Sequence, residues 1–308
     1  MTLQQMEYIV AVDKYRHFVR AAESCGVTQS TLSSLIQKLE SELDVAIFDR
    51  SSHPIAPTEL GEQIIAQARV ILYNASQLSE LVAAHKGSSV GDIRIGVVST
   101  IAPFILPFMF RYMSENYPQI NIHVEEARVE TIKQKLLRAE LDVAILAMPV
   151  LDDQLLEIPI YHERYYAYVS PDDELYKSER LVTSQLSAEN IWMLAESYCP
   201  NTGQFPFCVH DMSNASIYVA GSIDTLMRIV DENGGYTIIP ELQLPLMDSE
   251  RRRGVRELVD PVPGRDIALV VRRDFVRERM LNILADAIKR TIPEYMLNDR
   301  IKKFAIKL

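Results

Sequence analysis

Phe18-Val-Arg-Ala-Ala-Glu-Ser-Cys-Gly-Val-Thr-Gln-Ser-Thr-Leu-Ser-Ser-Leu-Ile-Gln-Lys-Leu-Glu40 is the stretch on which the reading of this chain turns. Residues 18–25 fit a short helix whose Ala21 and Ala22 let a neighbour pack closely. Gly26 ends it, as a residue that tolerates positive φ. Thr28 is a good N-cap for a second helix, Gln29 to about Leu43, with Leu32, Leu35, Ile36 and Leu39 on its buried face. Two helices joined by a glycine-containing turn form a helix-turn-helix. Around the cap, Thr28, Gln29, Ser30, Thr31, Ser33, Ser34, Gln37 and Lys38 make a polar face of mostly short side chains. Such groups suit base edges and phosphates of double-stranded DNA, whereas serine and threonine are poor choices for a merely solvated helix face.

Before this stretch, Leu3, Met6, Ile9 and Val10 mark a helix over 2–12. After it, the segment from Phe48 to Pro57, with its prolines and serines, reads as a wing-like loop that would present Arg50 and His53 to the DNA backbone. Acidic residues outnumber basic ones over 1–60, so phosphate neutralisation by one copy is weak and a multimer is expected to supply affinity. Residues 58–86 offer the route to it. Ile64, Ala68, Ile71, Ala75, Leu78 and Val82 alternate steps of four and three, the seam of a coiled coil. At ~1.5 Å per residue that helix is roughly 40 Å long, too long for local packing alone to explain.

The chain has 308 residues, 48% hydrophobic, with a formal charge of −10, which argues against polyanion binding over most of its surface. No leader-like or membrane-length apolar run stands out, so a soluble, cytoplasmic protein without a membrane partner is expected. Six scattered histidines with no HExxH or Cys-x-x-Cys argue against a zinc enzyme, and no metal or cofactor is expected.

From Gly91 onward, strands alternate with helices. Strands are expected at Ile93–Val98, Ile120–Val124 and Asp142–Ala147, with helices over 102–116 and 130–139, a pattern that implies a parallel sheet. A second segment, about 163–267, has strands at Tyr165–Ser170 and Tyr236–Ile239 and a helix over 222–232. The strand from Ile267 and a helix over 275–291 read as a return to the first. Two α/β lobes joined by two crossings make a cleft, the usual place for a ligand. The tail, 294–308, reads as a short basic helix.

Three cysteines are present: Cys25, Cys199 and Cys208. In a chain expected to be cytoplasmic, two thiols nine positions apart suggest a redox switch over a structural staple. The residues alone leave open two buried thiols acting as small hydrophobes, a thiol enzyme, or a metal sensor using His210.

Over essentially its whole length the chain resembles the LysR-type transcriptional regulators. The resemblance rests on Ala21-Ala22, Thr28-Gln-Ser-Thr-Leu-Ser33, Lys38-Leu-Glu40, Leu43, Phe48, Arg50, and Thr58 with Gly61. It implies a winged helix-turn-helix DNA-binding domain over 1–58 and a linker and dimerisation helix over 59–88. A two-lobed, periplasmic-binding-protein-like α/β effector domain would follow, with subdomain I over 91–162 and 267–293, subdomain II over 163–266, and a tail over 294–308. Glu7-Tyr8, Arg16-His-Phe18, Arg20–Cys25, Gly96–Pro103 and the Cys199/Cys208 pair are similar to the peroxide-sensing branch of the family.

That likeness implies a non-enzymatic activator of oxidative-stress genes that answers hydrogen peroxide. Cys199 would be the peroxidatic thiol and Cys208 the resolving one, joined by a reversible disulfide, with Thr100 and Arg265 as peroxide-binding positions. The implied partners are promoter DNA, a second copy or three in a homodimer or homotetramer, and RNA polymerase. An extended connection would hold the two thiols ~30 Å apart, whereas a disulfide needs Cα atoms within about 7 Å. Oxidation would therefore rearrange the segment, and Pro200, Gly203 and Pro206 oppose a continuous helix there. The alternative is a LysR-type regulator governed by a small effector in the interlobe cleft, with incidental cysteines.

Overall fold

A computed structural model describes residues 1–52, 54–85, 91–187, 190–194, 216–218, 222–299 and 306. The chain forms two compact units, one of Met1–Ser88 with Lys135–Glu140, the other of Ser89–Gln134 with Leu141–Leu308.

The first unit begins with α1 (Leu3–Tyr15), α2 (Phe18–Ser24) and α3 (Gln29–Leu43). Thr2 and Gln5 close a reciprocal capping box on α1. The Gln5 amide then donates to the Leu35 carbonyl at 3.1 Å, tying α1 to α3. Between α2 and α3 the chain turns at Gly26, whose φ of +67° is the left-handed conformation expected of a helix-ending glycine. Leu32, Ile36 and Leu39 recur every three or four residues along α3, and they are buried with Ile9, Val12, Ala21 and Phe48 in one core. A two-residue ladder, β1 (Phe48–Asp49) with β2 (Ala56–Pro57), forms the wing.

The long α4 (Glu59–His85) then leaves this core. Its start is fixed by Thr58, whose hydroxyl donates to the Ala46 carbonyl at 2.8 Å and accepts from the Gly61 N–H at 2.9 Å. A Cβ at Gly61 would lie 2.0 Å from the Ile47 carbonyl oxygen, so the close approach of α4 to that backbone demands glycine. The expected seam divides here. Ala68 shares the face of Ile65 and is buried with it in the unit's own core, against which Ile64 also packs. Ala68 therefore does not stand on an outward seam, because it lies three residues from Ile65 and four from Leu72, which pack inward as well. Ala75 is half-buried, and Ile71 and Leu78, seven residues apart, are exposed. The Val82 side chain lies outside the described residues.

The second unit runs β3 (Gly91–Val97), α5 (Ala102–Asn116), β4 (Ile120–Glu126), α6 (Val129–Leu137, which ends in the first unit), β5 (Val143–Ala147) and β6 (Leu155–Val169). It continues through β7 (Arg180–Val182), β8 (Ile191–Leu194), β9 (Ser216–Tyr218), α7 (Ile223–Asn233), β10 (Tyr236–Pro240), α8 (Ser249–Arg252), β11 (Val255–Val259), β12 (Gly264–Arg272) and α9 (Glu278–Lys289). The sheet order is β4-β3-β5-β12-β6-β10-β8-β9, with β11 pairing β6 and β7. β3 is parallel to β4 and β5, as the strand–helix alternation implies, while β12 runs antiparallel to β5 and β6.

One strand organises this unit. β6 pairs with β12 through residues 155–164 and with β10 through 165–169, so a single 15-residue strand serves both halves of the sheet. The sequence reading places a boundary near 162/163, inside this continuous strand. Pro159 falls where the ladder to β12 shifts register at Ile267/Ala268, the kind of irregularity at which a strand accommodates proline. The tail helix expected over 294–308 lies largely outside the described residues. Within them a 3-10 turn, Glu294–Met296, leads Leu297 into a bridge with Tyr161, and the Ile306 side chain is buried. Among the described residues no helix is long and apolar enough to cross a membrane.

Candidate functional sites

In the first unit the α3 N-terminus carries the expected reading face. Gln29, Ser30, Thr31, Ser34, Gln37 and Lys38 are exposed, and Ser33 is half-buried. Thr28 is also exposed, but its hydroxyl is engaged in the fold. It accepts the Thr31 N–H at 3.2 Å as the cap and lies 3.0 Å from the Ser30 hydroxyl and 2.8 Å from that of Thr31. The Ser34 hydroxyl donates to the Thr31 carbonyl at 2.9 Å. Gln29, Ser30, Gln37 and Lys38 thus form the outward part of the face.

Arg50, at the wing, is held by Glu40, which the sequence offers only as the end of the Lys38-Leu-Glu40 motif, without a role. The Glu40 carboxylate accepts the Ile47 N–H at 2.8 Å and the Phe48 N–H at 3.3 Å through one oxygen, and Arg50 Nη2 at 2.9 Å through the other. Arg50 also lies over the Phe18 ring, 5.7 Å from its centroid. Glu40 therefore joins the end of α3 to the wing and orients Arg50, which is still exposed. His53 lies outside the described residues.

In the second unit, Thr100 and Arg265 come together. Thr100 sits in the turn after β3, and Arg265 projects from β12. Arg265 Nη1 donates to the Thr100 hydroxyl oxygen at 2.9 Å, and Nη2 to the Thr100 carbonyl at 2.9 Å. Its Nε donates to Glu163 Oε1 at 2.7 Å. Glu163 is the cross-strand partner of Arg265 in the β6–β12 ladder and is completely buried. Tyr165, two residues along the same face of β6, lies under the guanidinium at 5.5 Å from the ring centroid.

The charges in this cluster are interdependent. Burial pushes the Glu163 carboxyl up, and the Arg265 charge opposes that rise. Burial disfavours the Arg265 cation, but Tyr165, Glu163 and Tyr161 together outweigh it and hold the guanidinium protonated. Burial also raises the Tyr165 phenol to about 12. Because the Thr100 hydroxyl accepts from Arg265, its proton is directed elsewhere and is available to a hydrogen-bond acceptor. Family resemblance marks Thr100 and Arg265 but not Glu163, because the union of Arg265 with Glu163 depends on a ladder register between residues 102 positions apart. Cys199 and Cys208 lie outside the described residues. Cys25, at the end of α2, is a partly buried free thiol that packs against the helix-turn-helix core.

Comparison with known proteins gives these sites their setting. Residues 3–62 match the family model of the bacterial regulatory helix-turn-helix protein, lysR family, and residues 86–293 match that of the LysR substrate binding domain. The chain is 32% identical over 300 residues to the hydrogen peroxide-inducible genes activator of Pectobacterium carotovorum subsp. carotovorum, covering 96% of this chain and 98% of that one. It is 29% identical over 309 residues to the DNA-binding transcriptional dual regulator OxyR of Escherichia coli K12, covering 99% of this chain and all of that one. A full-length OxyR variant from Pseudomonas aeruginosa superposes with a TM-score of 0.80 at 29% identity, covering 97% of this chain and 98% of that one.

The chain belongs to the LysR family. It is a DNA-binding transcriptional regulator with an N-terminal helix-turn-helix, a long helix and a mixed α/β substrate-binding domain, and the family is not one of enzymes.

Removing the Arg265 cation while Glu163 stays buried leaves an uncompensated acid, so Arg265→Met is expected to cost about 3–5 kcal/mol of stability. Adding Glu163→Leu should return most of that loss, since two apolar groups replace the pair. Unfolding followed by Trp192 fluorescence checks both, because Trp192 is the chain's only tryptophan and lies in β8 of this unit.

Proposed function

We propose that this LysR-family regulator senses hydrogen peroxide through Cys199 and Cys208 and controls oxidative-stress genes from the cytoplasm. The observation that carries the reading is the direct contact of Arg265 with both the hydroxyl and the carbonyl of Thr100. It is a buried, preorganised donor site of the kind a small oxidant requires, in a chain similar end to end to peroxide-inducible activators. Thr100 donates to the peroxide, and Arg265 fixes Thr100 and supplies positive charge.

The chemistry is a two-electron oxidation in two displacements. The Cys199 thiolate attacks one peroxide oxygen, an S–O bond forms, the O–O bond breaks, and the departing hydroxide takes a proton to leave as water. Cys208 then attacks the sulfenic sulfur. An S–S bond forms, the S–O bond breaks, and a second water leaves. Peroxide is reduced to water while two thiols become one disulfide. The change in covalent state alters how the copies of the chain assemble and so how their helix-turn-helix units are presented to promoter DNA and RNA polymerase.

In the DNA-binding unit, Gln29, Ser30, Thr31, Ser33, Ser34, Gln37 and Lys38 read or flank the major groove, with Thr28 as the cap, and Arg50 and His53 contact the backbone. The α4 helix contributes Ile71 and Leu78, with Ile64, Ala75 and Val82, to pairing with a second copy. The substrate-binding-domain match over 86–293 favours one second reading, a small organic effector with the cysteines incidental.

Peptide mapping of thiol-blocked protein before and after a peroxide pulse tests the redox reading. A Cys199–Cys208 cross-linked peptide that appears with peroxide and disappears with reductant is expected. Its absence, or a Cys199→Ser protein that still activates transcription under peroxide, would favour the effector reading. For the DNA contact, Arg50→Ala should lower the salt dependence of binding by about 0.9 in log–log slope for each copy bound. An affinity titration over a salt series measures it.

A further inference from the structure

Two polar groups beside the Arg265 cluster are not used by the peroxide reading. Tyr161 and Glu163 are alternate residues of β6 and share one face of the sheet. Tyr161 is 1% exposed and Glu163 fully enclosed. Among the described residues, the Tyr161 hydroxyl and Glu163 Oε2 are buried without a hydrogen-bond partner, although Glu163 Oε1 is taken by Arg265. Burial and the neighbouring carboxylate push the Tyr161 phenol well above its ordinary range, so it remains a donor. The Leu242 backbone N–H also favours the Glu163 charge. Yet a buried hydroxyl and a buried carboxylate oxygen on one strand face, each without a partner within hydrogen-bond geometry, is a combination that folded proteins ordinarily avoid.

We propose that Tyr161 and Glu163 form an internal site for one water-sized hydroxylic molecule, which accepts from the Tyr161 hydroxyl and donates to Glu163 Oε2. The chemistry selects this class. The ligand must both accept and donate, as water and hydrogen peroxide do. A cation would add to a carboxylate already compensated by Arg265, and an anion would face Glu163 directly. This inference does not depend on the redox reading, since it concerns a non-covalent site in the resting protein.

The test is a sign. Tyr161→Phe is isosteric, and Tyr236→Phe provides the calibration, because the buried Tyr236 hydroxyl donates to the Ser187 carbonyl within this same unit. The denaturant midpoint of the full chain is followed by Trp192 fluorescence. Tyr161→Phe is expected to lower the midpoint by an amount comparable to Tyr236→Phe, because a satisfied hydrogen bond is lost in both. A midpoint that is unchanged or raised by Tyr161→Phe would overturn the proposal, since removing an orphaned hydroxyl relieves a cost. The occupant is identified by adding hydrogen peroxide to protein with all three cysteines changed to serine. A peroxide-induced rise in midpoint that vanishes with Tyr161→Phe assigns peroxide. No rise, or a rise that survives Tyr161→Phe and so belongs to the Thr100 position, assigns water in a protein that passes the first test.

Discussion

The ladder register that sets Arg265 opposite Glu163 is the constraint on which the regulatory unit depends. β6 and β12 are distant in sequence, and their pairing places a cation and a carboxylate on one buried face. Neither charge is tolerable alone in that environment, so each requires the other. Once paired, the guanidinium has its remaining edge fixed, and that edge takes both polar groups of Thr100. A turn at the end of a parallel strand is thereby pinned to an antiparallel one. The strand that carries Glu163 is also the one that continues into the other half of the sheet.

The DNA-binding unit follows the same logic with a different residue. Glu40 accepts two backbone N–H groups and one guanidinium edge, so a single carboxylate fixes the α3-to-wing connection and the direction of Arg50. Thr58 and Gly61 do the corresponding work at the entry to α4, one by bonding the Ala46 carbonyl and the other by leaving room for Ile47. The residues that position this unit are therefore mostly not those proposed to touch DNA. A preorganised arginine and a capped helix end reduce the ordering that binding would otherwise demand.

Much of this was legible in the sequence where the signals are local. The α2–α3 turn is written in Gly26, Thr28 and the spacing of Leu32, Ile36 and Leu39, and the structure has the helices within a residue or two of those bounds. Thr100 and Arg265 were legible only through family resemblance, and their contact was not predicted. Glu163 was missed because its importance comes from register, which local periodicity does not reveal. β6 was missed over most of its length because Pro159 and the polar run His162-Glu163-Arg164 interrupt the apolar pattern of a buried strand. Ala68 falls on the expected coiled-coil seam yet is buried in its own unit, because a heptad with steps of four and three also passes through the inward face of a helix that is partly packed on its own domain.

The central claim is that this regulator changes its hold on DNA when peroxide oxidises it. Footprinting of the full-length protein on its target promoter, fully reduced and then peroxide-treated, measures that change directly. The account predicts a protected region that differs between the two states and returns to the first pattern when reductant is added. An identical footprint in both states, with the protein bound in each, would contradict it.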